Sequence, residues 1–189
     1  LILGMKSPLL AIQLLWINLV TDSLPAIALG LEKEEENIMS RLPRNPKKSL
    51  FADGLWWKII IEGTMLGMFT LLAFSIGNRL YSVEVGRTMA FTLGILELVH
   101  SFNIKSEESI FKIGIFENKY LILALILGVL LQVIVVIINP LAEIFSLVPL
   151  TGIQWLYTIL ISIAPIPIVE IQKAVNGYTF GKVVYAKNN

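Results

Sequence analysis

Apolar residues in this chain come in long blocks, divided by short polar stretches. The blocks run over about 8–31, 55–77, 87–103, 120–138 and 153–171. Most approach or exceed the roughly 20 residues that carry a helix across a bilayer's hydrocarbon core. The pattern therefore predicts an all-α membrane protein, a bundle of about five transmembrane helices forming a single membrane domain over 1–189. Trp56 and Trp57 at the start of the second block suit an aromatic belt. Gly63 and Gly67 in the same block form a small-residue pattern that lets helices approach closely. The block at 120–138 is almost purely Leu, Ile and Val, with Gln132 its only polar member, and reads as lipid-facing or packing surface. Asn139-Pro140 ends it, and Pro165 and Pro167 should kink or break the last block.

The polar stretches fix an expected orientation. Lys33, Arg41, Arg44, Lys47, Lys48, Lys105, Lys112, Lys119, Lys173, Lys182 and Lys187 fall on one side of such a bundle, and only Lys6, Arg79 and Arg87 on the other. Positive residues favour the cytoplasmic side, which places the loops 32–54 and 104–118 and the tail 172–189 there, with the N-terminus outside. Pro43 and Pro46 forbid a continuous helix through the first loop.

Composition agrees. The chain is 56% hydrophobic and only 15% charged, against about 25% charged for soluble domains. A net charge of +1 with no basic block gives no reason to expect nucleic acid as a partner; the lipid bilayer is the expected one. Cysteine is absent, so there are no disulfides and no thiolate metal ligands. No basic segment precedes the first apolar block, so that block is not a signal peptide, and the start at Leu1 reads as a fragment or a processed product.

Candidate chemistry sits where polar side chains interrupt apolar blocks. Asp22 lies inside the first, where a charge costs at least about 2.5–3.5 kcal/mol. Asn18, Thr21 and Asp22 share one helix face at i, i+3 and i+4. They offer an amide oxygen, a hydroxyl and a carboxylate, the hard oxygen ligands of a cation such as calcium. Pro25 has no N–H, so a helix break is expected there that frees the carbonyl of Thr21 as a further ligand. Glu97 lies inside the third block, with His100 and Ser101 one turn on, and is the second acidic candidate. Glu62 should face a structural hydrogen-bond or ion-pair partner, and His100, the only histidine, reads as a bundle residue rather than a ligand. Two carboxylates, an amide, a hydroxyl and freed carbonyls approach the roughly six to eight oxygens calcium takes, so the remaining ligands must come from elsewhere.

Gln-Leu-Leu-Trp-Ile-Asn-Leu-Val-Thr-Asp-Ser-Leu-Pro-Ala at 13–26 resembles the sixth transmembrane helix of P-type cation-transporting ATPases, especially calcium pumps of the sarcoplasmic-reticulum type. The resemblance implies that Asn18, Thr21 and Asp22 bind the transported ion, with the aspartate bridging two sites. Residues 94–103 are similar to the family's eighth helix, where a glutamate at the position of Glu97 completes one calcium site in sarcoplasmic-type pumps, although many relatives carry a non-acidic residue there. Residues 37–47 resemble the loop between the sixth and seventh helices, departing from its usual pattern at Asn37 and Leu42. That loop buttresses the phosphorylation domain, which implies a docking role for Arg41, Pro43, Arg44 and Pro46. Residues 109–119 are similar to the loop between the eighth and ninth helices. The family's fourth and fifth helices, its Asp-Lys-Thr-Gly-Thr phosphorylation motif and its nucleotide-binding and actuator domains have no counterpart here.

The chain is therefore expected to be the C-terminal membrane segment of a pump, alone neither an ATPase nor a complete ion path. Calcium is the expected cargo, with manganese open because it takes similar ligands. ATP and Mg2+ would act only in the missing domains. A bacterial plasma membrane is the expected location. Two other readings stay open: a secondary cation or proton-coupled transporter, whose folds usually show internal repeats not visible here, and a non-catalytic membrane assembly module.

Overall fold

The computed structural model describes residues 6–31, 55–105, 109 and 116–174. The 32–54 loop with Arg41, Pro43, Arg44 and Pro46, most of the 104–118 loop and the tail from 175 lie outside the described residues.

Helix α1 (Ala11–Ile17) leads into five π-helical residues, Asn18–Asp22, and then into α2 (Ser23–Gly30). A long helix α3 (Leu55–Leu80) turns through Tyr81 and Ser82 into α4 (Val83–Thr92), and Leu93 joins α4 to α5 (Gly94–Ile104). Next come α6 (Lys119–Ile137), a short α7 (Asn139–Ile144) and α8 (Gly152–Ile163), with α9 over 165–174. Every regular element among the described residues is helical, which satisfies backbone polar groups within each segment where lipid offers no water.

The helix ends follow local chemistry. Ser82 caps α4 by accepting from Val85 N–H. Thr151 and Gln154 form a capping box at α8, with the Gln154 side chain accepting from Thr151 N–H at 2.8 Å. Pro140 sits in the first turn of α7, where its missing N–H costs nothing. The break between α8 and α9 falls at Ala164, directly before Pro165, as the missing N–H requires.

Four helical stretches among the described residues are long and apolar enough to cross a membrane: Ala11–Gly30, Leu55–Leu80, Lys119–Ile137 and Gly152–Ala174. The third expected crossing, 87–103, is split at Leu93 into α4 and α5, each too short on its own. Around the break the backbone bonds tighten to i→i+3, Leu93 N to Ala90 O at 3.2 Å and Leu96 N to Leu93 O at 2.9 Å. Two threonines upstream contribute. Thr88 donates to Glu84 O, and Thr92 reaches Thr88 O and Met89 O. Such back-bonding loosens a helical ladder and bends it.

Packing is organised on α6, whose buried residues Leu121, Ala124, Gly128, Gln132 and Val135 recur at spacings of three and four, one stripe of an α-helix. Gly128 opens a socket on this stripe: a Cβ there would sit 2.6 Å from Leu98 Cδ1 of α5. One end of the stripe joins Ile17, Phe91, Val135, Val136, Ala142 and Leu147 in a core, and the other joins Ala28, Phe102, Leu121 and Ala124. The opposite face of α6 exposes Leu123, Ile126, Leu130, Ile134 and Ile137. The helix thus has one face packed in the bundle and an apolar face that no described residue covers.

Among the described residues the glycine pattern noted in α3 is not where helices meet. Gly63 and Gly67 have nothing near them among the described residues, whereas Gly77 of α3 and Gly86 of α4 touch backbone to backbone.

Asn118 ties α6 to α2. Its side chain accepts from Leu121 N–H at 2.9 Å and donates to Ala28 O at 3.0 Å, entirely buried. Removing both bonds with Asn118→Ala should cost about 1–3 kcal/mol. Thermal unfolding of the detergent-purified full-length protein reads this as a lowered midpoint; an unchanged midpoint would mean the tie is dispensable.

Candidate cation site

The first apolar crossing carries its polar residues on the irregular turn. Asn18, Thr21 and Asp22 all belong to the π-helical segment Asn18–Asp22. A π turn carries an extra residue and is often found at functional sites. Thr21 contributes to it locally: its hydroxyl lies 2.7 Å from Ile17 O, four residues back, the same back-bonding that loosens α4. The expected break at Pro25 appears one turn earlier than the proline. Pro25 itself is the third residue of α2 and is buried there, where a helix's first N–H groups have no intrahelical partner anyway.

Glu97 stands in the first turn of α5. Its Oε2 lies 2.6 Å from Thr21 Oγ1, a direct contact between α5 and the π turn of the first crossing. Thr21 is 2% exposed, so this contact is closed to solvent on the Thr21 side. Asp22 and His100 are the titratable neighbours of Glu97. The structure thus brings Thr21 and Glu97 together and places Asp22 nearby. Asn18 and Asp22 themselves are exposed on the surface of this chain, on a face that no described residue covers.

The approach of α5 to the π turn depends on Gly94. A Cβ at that position would meet Thr21 Cγ2 at 3.0 Å and Gln132 Nε2 at 3.1 Å, tighter than ordinary van der Waals contact. Gln132 is fully buried and donates through Nε2 to Phe91 O at 2.5 Å, at the end of α4. These two residues shape the site, and neither is singled out as functional by the sequence pattern. The available signal is that Gln132 is the lone polar residue in an otherwise apolar crossing.

Glu62 and His100 find each other. Glu62 of α3 places Oε2 3.4 Å from His100 Nε2 of α5, both buried, where a hydrogen-bond or ion-pair partner is expected for Glu62. Among the described residues no group of three or more His, Cys, Asp or Glu side chains could hold a metal ion. Asn18, Thr21, Asp22 and Glu97 offer an amide, a hydroxyl and two carboxylates, oxygen groups of the kind that suit a hard cation rather than zinc or copper.

A family model described as "Cation transporting ATPase, C-terminus" matches residues 6–175. The chain belongs to that family. It is 41% identical over 191 residues to calcium-transporting ATPase 1 of Bacillus cereus, covering 91% of this chain and 21% of that protein. It is likewise 41% identical over 167 residues to the calcium-transporting ATPase of Bacillus subtilis, covering 87% of this chain and 19% of that one. A more distant relative, the endoplasmic reticulum-type calcium-transporting ATPase 3 of Arabidopsis thaliana, is 28% identical over 203 residues, covering 91% of this chain and 20% of the relative. The chain thus spans about a fifth of the length of these curated relatives. The family match takes in both sides of the Thr21–Glu97 contact, the Gln132 crossing and the Glu62–His100 pair. With four apolar crossing-length helices among the described residues, this member of the cation-transporting ATPase family is an integral, multi-pass membrane protein.

Proposed function

We propose that this chain is the ion-binding and anchoring C-terminal membrane part of an ATP-driven cation pump, and that its cargo is calcium. The observation that carries this reading is the contact of Thr21 with Glu97, which joins a π turn bearing Asn18 and Asp22 to a second crossing bearing a carboxylate. Relatives named as calcium-transporting ATPases support calcium as the ion. The oxygen-only ligand set also suits it, and manganese, which takes similar ligands, is the natural comparison cation. The exposed face of Asn18 and Asp22 would be covered in the full-length pump by helices that supply the rest of the six to eight ligands.

The single hydroxyl proton of Thr21 has two acceptors within reach, Ile17 O and Glu97. A neutral Glu97 resolves the competition: Thr21 donates to Ile17 O while the Glu97 carboxyl donates to Oγ1. When a cation arrives, the glutamate would give up that proton and turn an oxygen to the ion. Glu97 would then serve as ligand in one state and proton carrier in the other.

ATP and Mg2+ would act in the catalytic domains of the full-length pump, where an aspartate accepts the phosphoryl group. The loop with Arg41, Pro43, Arg44 and Pro46 would dock against the phosphorylation domain. In this reading the loops and tail are cytoplasmic, as the distribution of Lys and Arg favours, and the many bacterial relatives favour a bacterial plasma membrane. The family model and the calcium-transporting relatives favour the pump over a secondary transporter or a non-catalytic assembly module.

The test is calcium binding to the full-length protein at equilibrium, with manganese in parallel. Glu97→Gln should weaken apparent calcium affinity at least about tenfold, or remove one bound ion per pump if two bind. Unchanged affinity and count would make Glu97 a structural residue and remove the second crossing from the site.

A further inference from the structure

Gln132 lies in the middle of the least polar crossing of the chain, and burying an amide in such a place costs free energy unless the amide is used. Half of it is used. Nε2 donates to Phe91 O, while Oε1, fully buried, has no hydrogen-bond partner among the described residues. The orientation is set by chemistry: the reversed amide would turn an oxygen toward the Phe91 carbonyl oxygen, acceptor against acceptor. A leucine or methionine would fill the same volume without leaving a buried oxygen unpaired.

Its surroundings show what the amide touches. Phe91 lies in the last turn of α4, Leu93 is the joint, and Gly94 opens α5, which places Glu97 in its first turn. The side of Gly94 that lacks a side chain faces Gln132 Nε2 and Thr21 Cγ2 together. Gln132 therefore bonds to the helix before the joint and packs on the residue after it. From α6 it braces the one place where the crossing that carries Glu97 is broken.

We propose that Gln132 is a positioning residue of the cation site, fixing the α4–α5 joint so that Glu97 meets Thr21. It does not touch the ion. It acts through Phe91 and Gly94, as residues beyond the direct ligands act on a metal site by setting ligand orientation. The inference rests on Thr21 and Glu97 belonging to the cation site.

The experiment measures calcium-dependent ATP hydrolysis by the full-length protein, with the amount of folded protein determined by size-exclusion chromatography. Gln132→Met keeps the volume and removes the donor. It should raise the KM for calcium about tenfold and leave kcat within about a factor of two, because the reacting phosphoryl group is remote from the joint. Gln132→Glu keeps the shape and, when neutral, one donor, so it should fall between the wild type and Gln132→Met; it also provides a reading if the Met variant does not fold. Gly94→Ala presses on the same joint from the other side, and its effect on KM should be less than additive with that of Gln132→Met. An unchanged KM in folded Gln132→Met, equal losses of kcat and affinity, or strict additivity with Gly94→Ala would overturn the proposal. If Glu97→Gln and Thr21→Val weaken calcium binding while Gln132→Met does not, only this inference falls. If none of the three does, the cation-site reading falls with it.

Discussion

Asp22→Asn in the full-length protein is expected to abolish calcium-dependent phosphorylation by ATP while leaving the protein folded. The substitution exchanges one oxygen for an amide nitrogen and removes a charge, with almost no change in shape. Within this chain Asp22 makes no core contact and the Thr21–Glu97 contact does not pass through it, so a change that keeps the shape of the side chain should disturb the fold little. The functional loss should be far larger. Residues one step removed from a metal ligand already cost about 10–100-fold in affinity, so a direct carboxylate ligand should cost about 100-fold or more. Phosphoenzyme formed from labelled ATP across a calcium titration, alongside size-exclusion profiles, separates the two effects. Phosphoenzyme at normal calcium affinity would take Asp22 out of the site.

The reason for expecting so much from an exposed residue is its depth. Asp22 sits near the middle of the crossing Ala11–Gly30. A carboxylate there is costly against lipid and is kept only where protein, water or a cation faces it. In a pump assembled from more helices than this chain holds, the uncovered face of Asn18 and Asp22 is where such a partner belongs.

The crossings were legible because hydrophobic blocks of membrane length leave few alternatives, and the polar intruders Asp22 and Glu97 were legible because lipid makes them expensive. What stayed illegible depends on contacts between distant segments. Pro25 suggested a break, but the irregular turn lies at Asn18–Asp22, where the Thr21 hydroxyl competes for a backbone carbonyl. The third block reads as one helix, yet back-bonding from Thr88 and Thr92 and the packing of Gly94 split it at Leu93. Gln132 stands out only as the polar member of an apolar block, because its partner, Phe91 O, is a backbone atom on another helix and no side-chain pattern announces that. Glu62 could be said to need a partner, but only the fold brings His100 to it.

The same gap between pattern and packing makes two glycine substitutions diverge in sign. Gly63→Ala should be neutral or stabilising by up to about 1 kcal/mol, the difference in helix propensity, since a Cβ there meets nothing among the described residues. Gly86→Ala gains the same propensity but places a Cβ 2.7 Å from Phe74 O and 2.9 Å from Asn78 N. Those are backbone atoms of α3, which cannot swing aside as the end of a side chain could. Overpacking of this kind costs about 1–3 kcal/mol or more, so the clash outweighs the propensity gain and the net effect is destabilising. Gly77→Ala should act alike, because its Cβ would fall 2.6 Å from Gly86 Cα. Thermal unfolding of the three variants of the full-length protein in detergent decides the matter. Lowered midpoints for Gly77→Ala and Gly86→Ala with an unchanged or raised midpoint for Gly63→Ala would place the close approach of α3 and α4 at the Gly77–Gly86 contact. Equal shifts in all three would mean that the two helices do not pack backbone to backbone. The contact bears on the site because α4 is held at one end by Gly86 against α3 and at the other by Gln132 on Phe91 O. Loosening the first hold while leaving the second should lower stability and spare calcium affinity, the reverse of what Gln132→Met should do.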